Sequence, residues 1–137
     1  MRKNSSEFIT AFTSEAGTFQ TNRDFFAYVE LDDIACYVVA DGIDSDEEIT
    51  SAELAANCIF EHVMKNPSMS RRKLKKCIMN AHRLLNEKST NVRLKASIAV
   101  VLTDYSNMIW AVAGNARVYQ FRKGSLVFRS KDQSVAQ

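Results

Sequence analysis

The sequence predicts an α+β fold in which antiparallel strands come before and after a pair of helices. Three observations predict it: β-rich runs towards both ends of the chain, two amphipathic helical patterns between them, and no regular alternation of strand and helix. The chain has 137 residues, of which 46% are hydrophobic and 25% are charged. This size and this balance are typical of one core, so we expect a single domain over residues 1–137.

The first third of the chain is expected to form strands. Residues 8–13 are predicted to be a short strand, and a turn-rich segment follows them. Two runs rich in aromatic and β-branched residues come next, 25–31 and 34–40, and only Asp32 and Asp33 separate them. A connection this short predicts a β-hairpin.

The middle of the chain is expected to form two helices. Thr50 and Glu53 make a capping box, which predicts a helix that runs to about Lys65. Pro67 ends this helix, and Ser70 can cap the next one. Apolar residues recur at helical spacing, namely Ala52, Ala55, Ala56, Ile59 and Val63, then Leu74, Cys77, Ile78, Ala81 and Leu85. We therefore expect two amphipathic helices packed on one face of the sheet.

The last third returns to strands, which are predicted over residues 97–103, 108–113, 117–122 and 126–129. Lys123 and Gly124 form a two-residue turn between the last two strands. The run 98–102 is apolar at every position, so both faces of that strand should be covered. One face would meet the helices and the other a second sheet, which predicts an antiparallel β-sandwich with flanking helices.

The overall charge indicates no partner. Lys and Arg number 18 and Asp and Glu number 16, and the net charge of +2 is too small to indicate a nucleic-acid or membrane partner. No apolar run approaches membrane-spanning length, and the N-terminus lacks a signal-peptide pattern. Cys36, Cys58 and Cys77 stand in apolar runs without a C-x-x-C pair, which predicts buried thiols and excludes a typical zinc site. We expect a cytoplasmic protein.

The start of the second helix is strongly basic. Its cations are Arg71, Arg72, Lys73, Lys75 and Lys76. No aromatic residue is interleaved with them, as stacking on nucleic acid would require. The cluster is therefore either a solvated face or a docking site for an acidic partner.

Two carboxylates should meet at the open end of the predicted hairpin. If Asp32 and Asp33 are the central turn residues, Asp24 lies directly opposite Asp41. Opposed residues have Cβ atoms roughly 4.5 to 5.5 Å apart, where like charges repel unless something compensates them. A hard cation such as Mg²⁺ or Mn²⁺ would do so, and the carbonyl group of Gly42 could approach it closely. The alternative is a solvated acidic loop.

Several motifs occur in the same order and at similar spacing as those of the metal-dependent type 2C (PPM) protein phosphatases. They are Asn22-Arg23-Asp24, Val39-Ala40-Asp41-Gly42, Lys95-Ala96-Ser97, the run Ala113-Gly114-Asn115-Ala116-Arg117-Val118-Tyr119, and Asp132-Gln133-Ser134. They resemble the family patterns R-x-x-N-E-D, V-A-D-G-x-G-G, G-T-T, N-x-G-D-S-R-x-Y and D-H-S in turn. The resemblance extends from about residue 8 to residue 137 and corresponds to the N-terminal part of a family domain.

This resemblance implies a β-sandwich flanked by helices, with a two-metal centre at one end. In the family, Mn²⁺ or Mg²⁺ activates a bridging water that attacks phosphoserine or phosphothreonine in a protein substrate. Asp41 would take the position of the carboxylate that bridges both metals, and the carbonyl of Gly42 would bind one of them. Asp24 would orient metal-bound water.

The sequence also departs from the family patterns. Phe19 stands where the family has the Arg that grips the substrate phosphate, and Arg23 stands where it has a metal-ligating Glu. Asp44 and Ser45 replace the two glycines that follow Asp-Gly, and Asn115 replaces an Asp. Two further metal-ligating Asp positions belong to the C-terminal half of the family domain, which would follow residue 137.

Three hypotheses follow from these residues: a metal-dependent phosphatase-like domain, a catalytically inactive pseudophosphatase that acts as a binding or regulatory scaffold, and an unrelated α+β interaction module. In the first two, Asp41 would hold the metal, Asp24 would support it, and Asp44 or Asp46 could replace missing ligands. Alternatively, Arg23 forms a salt bridge with Asp41 in place of a metal. A sheet that ends at residue 137 would leave exposed edges, so we also expect a homodimer formed through them.

Overall fold

A computed structural model describes the protein over residues 8–14, 24–42, 50–89 and 94–131. These residues form the strands and helices β1 (Asp24–Glu30), β2 (Ala35–Gly42), α1 (Ser51–Lys65), α2 (Arg71–Lys88), β3 (Ala96–Thr103), β4 (Met108–Ala113), β5 (Tyr119–Arg122) and β6 (Ser125–Arg129). Strands β1 to β4 form one antiparallel sheet in the order β1-β2-β3-β4, and β5 and β6 form a separate two-stranded sheet. The predicted α+β class is confirmed.

The β1–β2 hairpin has the predicted register. Asp24 is opposite Asp41, Tyr28 is opposite Tyr37, and Glu30 is opposite Ala35. The backbone N–H of Leu31 donates to the carbonyl of Ile34 at 2.8 Å, which closes the turn around the two aspartates. The two aromatic and β-branched runs therefore pair from one end to the other.

Both helices begin at the residues that the capping patterns predicted. The side chain of Thr50 accepts a hydrogen bond from the N–H of Glu53 at 3.2 Å, and Ser70 accepts one from the N–H of Lys73 at 3.2 Å. Each hydroxyl satisfies a backbone donor that the first helical turn leaves without a partner. The helices then continue to Lys65 and Lys88.

The core lies between the helices and one face of the four-stranded sheet. Side chains alternate along a strand, so Cys36, Val38 and Ala40 of β2 face the helices together with Ile98, Val100 and Leu102 of β3. They pack against residues of α1 and α2 that the helical spacing predicted, such as Ile59 and Leu85. We call the opposite side of this sheet the outer face.

The predicted strand over residues 8–13 is wrong. The segment 8–14 pairs with no strand, and its aromatic side chains lie against the outer face instead. The ring centroid of Phe8 is 5.1 Å from that of Tyr105, and the ring centroid of Phe12 is 4.7 Å from that of Phe26. Ring contacts, rather than backbone pairing, hold these side chains at the sheet, where both rings stay partly exposed.

The strand predicted over residues 117–122 begins later, at Tyr119. The N–H of Val118 donates to the hydroxyl of Ser130 at 2.9 Å, and the N–H of Ser130 donates to the carbonyl of Val118 at 2.9 Å. The Ser130 hydroxyl thus accepts the hydrogen bond that a backbone carbonyl would accept if β5 began at Val118. The turn at Lys123 and Gly124 is confirmed, and Phe128 of β6 contacts Trp110 of β4, with ring centroids 4.8 Å apart.

Candidate metal centre

Three strands bring polar groups to one end of the outer face. Asp24 begins β1, Asp41 lies next to the end of β2, and Ser97 lies near the start of β3. Asp41 is opposite Asp24 on one side and opposite Ser97 on the other, so the three residues form a row across the sheet. Their side chains share the outer face because the residues next to them in sequence face the helices.

The two aspartates interact directly. Partial burial raises the pKa of Asp41, and a hydrogen bond with the Asp24 carboxyl and the negative charge of that group raise it further. Two adjacent carboxylates at a sheet end can be compensated by a shared proton or by a cation.

Ser97 joins the row to the end of β4. Its hydroxyl accepts a hydrogen bond from the backbone N–H of Asn115 at 3.2 Å. Gly114 has a φ of +76°, and a Cβ atom built there would lie 2.9 Å from the Cβ of Ser97. Only glycine fits this backbone, so the turn after β4 passes directly over Ser97.

The two carboxylates are ligands of the type that a hard divalent cation takes. The two carboxylates and the backbone carbonyl of Gly42 supply oxygen, which Mg²⁺ and Mn²⁺ prefer, and Mg²⁺ usually takes one or two carboxylates and retains several waters. Within the described ranges, no third Asp, Glu, His or Cys joins Asp24 and Asp41 in a metal-binding group. The described donors are therefore too few for a two-metal centre.

Several residues with a predicted role lie outside the described ranges. They are Phe19, Arg23, Asp44, Asp46 and the triplet Asp132-Gln133-Ser134. The hypotheses that depend on them, including the salt bridge between Arg23 and Asp41, stay predictions.

The histidines and cysteines lie away from the carboxylate pair. Nδ1 of His62 is 2.8 Å from the carbonyl oxygen of Cys58, to which it donates its proton, and His82 contacts Asn86 one turn further along α2. Cys36, Cys58 and Cys77 are free and buried, as predicted. Burial raises the pKa of the Cys36 thiol to about 12, so this group is protonated at neutral pH.

Sequence reasoning missed the aromatic surface beside the carboxylates. The ring centroids of Phe26 and Tyr28 are 5.8 Å apart, and Tyr28 stacks on Tyr37 at 5.6 Å with an interplanar angle of 14°. The hydroxyl of Tyr37 donates to the Glu30 carboxylate at 2.8 Å. The two-residue alternation of Asp24, Phe26, Tyr28 and Glu30 was the signal that could have placed them on one face.

Comparison with models of protein families gave no match, and comparison with curated proteins gave none either. Among the helices in the described part of the chain, none is both long and apolar enough to span a membrane.

Proposed function

We propose that this chain forms part of a metal-dependent, type 2C-like phosphatase domain and holds one Mn²⁺ or Mg²⁺ ion at Asp24 and Asp41. One observation carries the proposal: the β1–β2 register places these two carboxylates side by side. The same two residues occupy the metal and water-orienting positions of the motifs that the sequence resembles. Backbone pairing and motif order are independent arguments, and both select this pair.

The fold proposed for the domain is a sandwich of two antiparallel sheets. Tyr28 is 47% exposed and Val39 is 50% exposed on the outer face, which is more apolar surface than a solvated sheet face usually carries. The contact between Trp110 and Phe128 brings the β5–β6 hairpin to the same side of β4. In this proposal the hairpin belongs to the second sheet.

The proposed substrate is a protein phosphorylated on serine or threonine. A divalent cation bound here would supply an activated water and neutralise charge on the phosphate. Asp41 and the carbonyl of Gly42 would hold the cation, and Asp24 would orient a water. Ser97 and Gly114 fix the neighbouring end of the sheet, so the carboxylates stay in place.

A second candidate is a catalytically inactive scaffold that keeps the cation and binds a phosphoprotein or another protein partner. Two observations favour it: in the described residues only two carboxylates meet, and Asn115 stands where the family has an Asp. Phe19 and Arg23 replace residues that the family uses for phosphate and metal. Metal binding is common to both candidates, whereas hydrolysis distinguishes them.

Isothermal titration calorimetry of the whole chain with Mn²⁺ tests the metal site. We expect Asp41→Asn to weaken binding by about tenfold or more, because it removes one of two charged ligands. Asp33→Asn is the matched control, since this exposed aspartate lies at the other end of the same hairpin and should leave the isotherm unchanged. Identical isotherms for wild type and Asp41→Asn would contradict the proposal.

Phosphate release from phosphoserine and phosphothreonine peptides then separates the two candidates. Release that depends on Mn²⁺ and is lost in Asp41→Asn supports the phosphatase. Mn²⁺ binding without release supports the scaffold. A melting temperature that neither Mn²⁺ nor a chelator changes, with no Mn²⁺ binding, would contradict both and agree with a salt bridge between Arg23 and Asp41.

A further inference from the structure

The first two turns of α2 carry an uncompensated positive charge. Leu74 and Cys77 are the buried residues in this stretch, and the five cations around them are exposed, namely Arg71, Arg72, Lys73, Lys75 and Lys76. We call these five residues the basic surface. None of their side chains is in a hydrogen bond or an ion pair with the described residues. Without them the chain would carry a net negative charge.

The position of the basic surface disfavours the helix itself. The N-terminus of a helix carries a partial positive charge that acidic residues normally offset, and the first turn of α2 contains none. In addition, Arg71 and Lys75 are four residues apart, as are Arg72 and Lys76, and like charges at this spacing repel. An arrangement that opposes its own helix is explained if an anion outside the chain compensates it.

A small cleft adjoins the basic surface, between the end of α1 and the start of α2. It encloses about 150 Å³. Val63, Leu74 and Leu102 supply apolar walls, and Lys73 and Lys76 stand among the lining residues. Small-molecule sites usually enclose roughly 300 to 1,000 Å³, so this cleft suits a single apolar side chain.

We propose that the basic surface and the cleft dock an Asp- and Glu-rich segment of a partner protein, with one leucine-sized side chain in the cleft. At 100° per residue the five cations spread around the solvent side of the helix and do not converge on one point. Such a spread matches several single carboxylates along a peptide. Nucleic acid is disfavoured because α2 has no Phe, Tyr or Trp on which a base could stack. This inference does not depend on the proposed function.

The probe for the test is a fluorescent peptide of aspartate and glutamate residues with one central leucine. Replacing Arg71, Arg72, Lys75 and Lys76 by glutamine in the whole chain should weaken its binding by about tenfold or more, because each exposed charge pair contributes a fraction of a kcal/mol. The control variant replaces four other exposed cations by glutamine, namely Arg83, Lys88, Arg122 and Lys123, and so removes the same amount of charge. The control should bind within about twofold of wild type.

Further measurements separate docking at this surface from loss of folding and from an effect of the metal site. The basic-surface variant should melt at or above the wild-type temperature, because it removes like-charge pairs, so weaker binding would not reflect unfolding. A peptide with glycine in place of leucine should bind several-fold more weakly if the cleft takes the side chain. Asp41→Asn should bind the acidic peptide with the wild-type affinity, because peptide docking does not use the metal site.

Three results would overturn the docking proposal. Unchanged peptide binding by the basic-surface variant would exclude this surface. Equal losses in that variant and the control would show only general charge attraction. Tighter binding to a single-stranded oligonucleotide of the same charge than to the peptide would assign the surface to nucleic acid instead.

Discussion

At the scale of single residues, Gly114 has the most restrictive surroundings near the candidate site. Its φ of +76° disfavours any other residue, and a Cβ atom would overlap Ser97. We predict that Gly114→Ala lowers the free energy of unfolding by roughly 2 to 4 kcal/mol, from backbone strain and overlap together.

Gly124→Ala is the matched control for this substitution. Gly124 has a φ of +80°, but no atom lies within 4 Å of a Cβ built there. It should therefore show only the backbone cost, about 1 kcal/mol. Urea unfolding of the two variants measures the difference. Equal losses of unfolding free energy would show that overlap with Ser97 does not contribute.

The buried thiol of Cys36 makes the free energy of unfolding fall as the pH becomes alkaline. Burial, with a smaller contribution from Cys77, raises its pKa from 9.0 to about 12. Below pH 9 the thiol is protonated in both the folded and the unfolded chain, so it has no effect. As the pH rises above 9 the unfolded chain releases this proton first, and stability falls until the pH reaches about 12.

We therefore predict that this thiol lowers the free energy of unfolding by about 1 kcal/mol between pH 9 and pH 10. Cys36→Ala should show a shallower decline over the same interval, measured by urea unfolding at each pH. An identical slope in the variant would mean that Cys36 ionises as easily in the folded protein as in the unfolded chain.

At the scale of elements, the sequence predicted the features that depend on residues close together in the chain, namely the helix starts and the hairpin register. The caps at Thr50 and Ser70 depend on a side chain and a backbone group three residues apart, so the sequence places both helix starts. The same is true of the β1–β2 register, which a two-residue turn determines. Residues 8–13 could not be assigned this way, because the rings of Phe8 and Phe12 contact Tyr105 and Phe26, which lie far along the sequence.

The turns at one end of the sheet are joined by a contact that no pattern predicts. The hydroxyl of Tyr105, in the β3–β4 turn, donates to the carbonyl of Leu31 in the β1–β2 turn at 2.6 Å. Tyr105 is buried and has a φ of +73°, which is unusual for a residue other than glycine. Its side chain and this hydrogen bond hold the two hairpin turns together.

We predict that Tyr105→Phe lowers the free energy of unfolding by about 1 to 2 kcal/mol, because the partly buried carbonyl of Leu31 loses this donor. Tyr119→Phe is the control, since the exposed Tyr119 hydroxyl only accepts a weak bond from Arg117 at 3.3 Å. The control should change stability by less than about 0.5 kcal/mol. Thermal unfolding of both variants measures this, and a Tyr105→Phe variant as stable as the control would show that water replaces the bond.

At the scale of the whole molecule, half of the candidate site follows from the sequence and half from the fold. Asp24 and Asp41 meet because one tight turn joins their strands, which the spacing shows directly. Ser97 reaches Asp41 only after two helices have returned the chain to the sheet, so spacing alone could not place it. The motif order suggested Ser97, whereas the pairing of β2 with β3 explains its position physically.

Within the described ranges, β1 and β4 are the edge strands of the four-stranded sheet. Strands at an edge have backbone groups that a second chain can pair with. We predict self-association through one of these edges, which sedimentation over the micromolar range would measure. Tyr28→Lys on β1 or Val112→Lys on β4 should weaken it, because a charged side chain on an edge strand opposes pairing.

Val39→Lys distinguishes edge pairing from stacking of the outer faces. Val39 is 50% exposed on the same face as Tyr28, which is 47% exposed, but it lies on β2, inside the sheet. If edges pair, Val39→Lys should associate like wild type, because its strand already has a partner on each side. If Val39→Lys instead abolishes association, the apolar outer face forms the contact. A strictly monomeric wild type would contradict the prediction altogether.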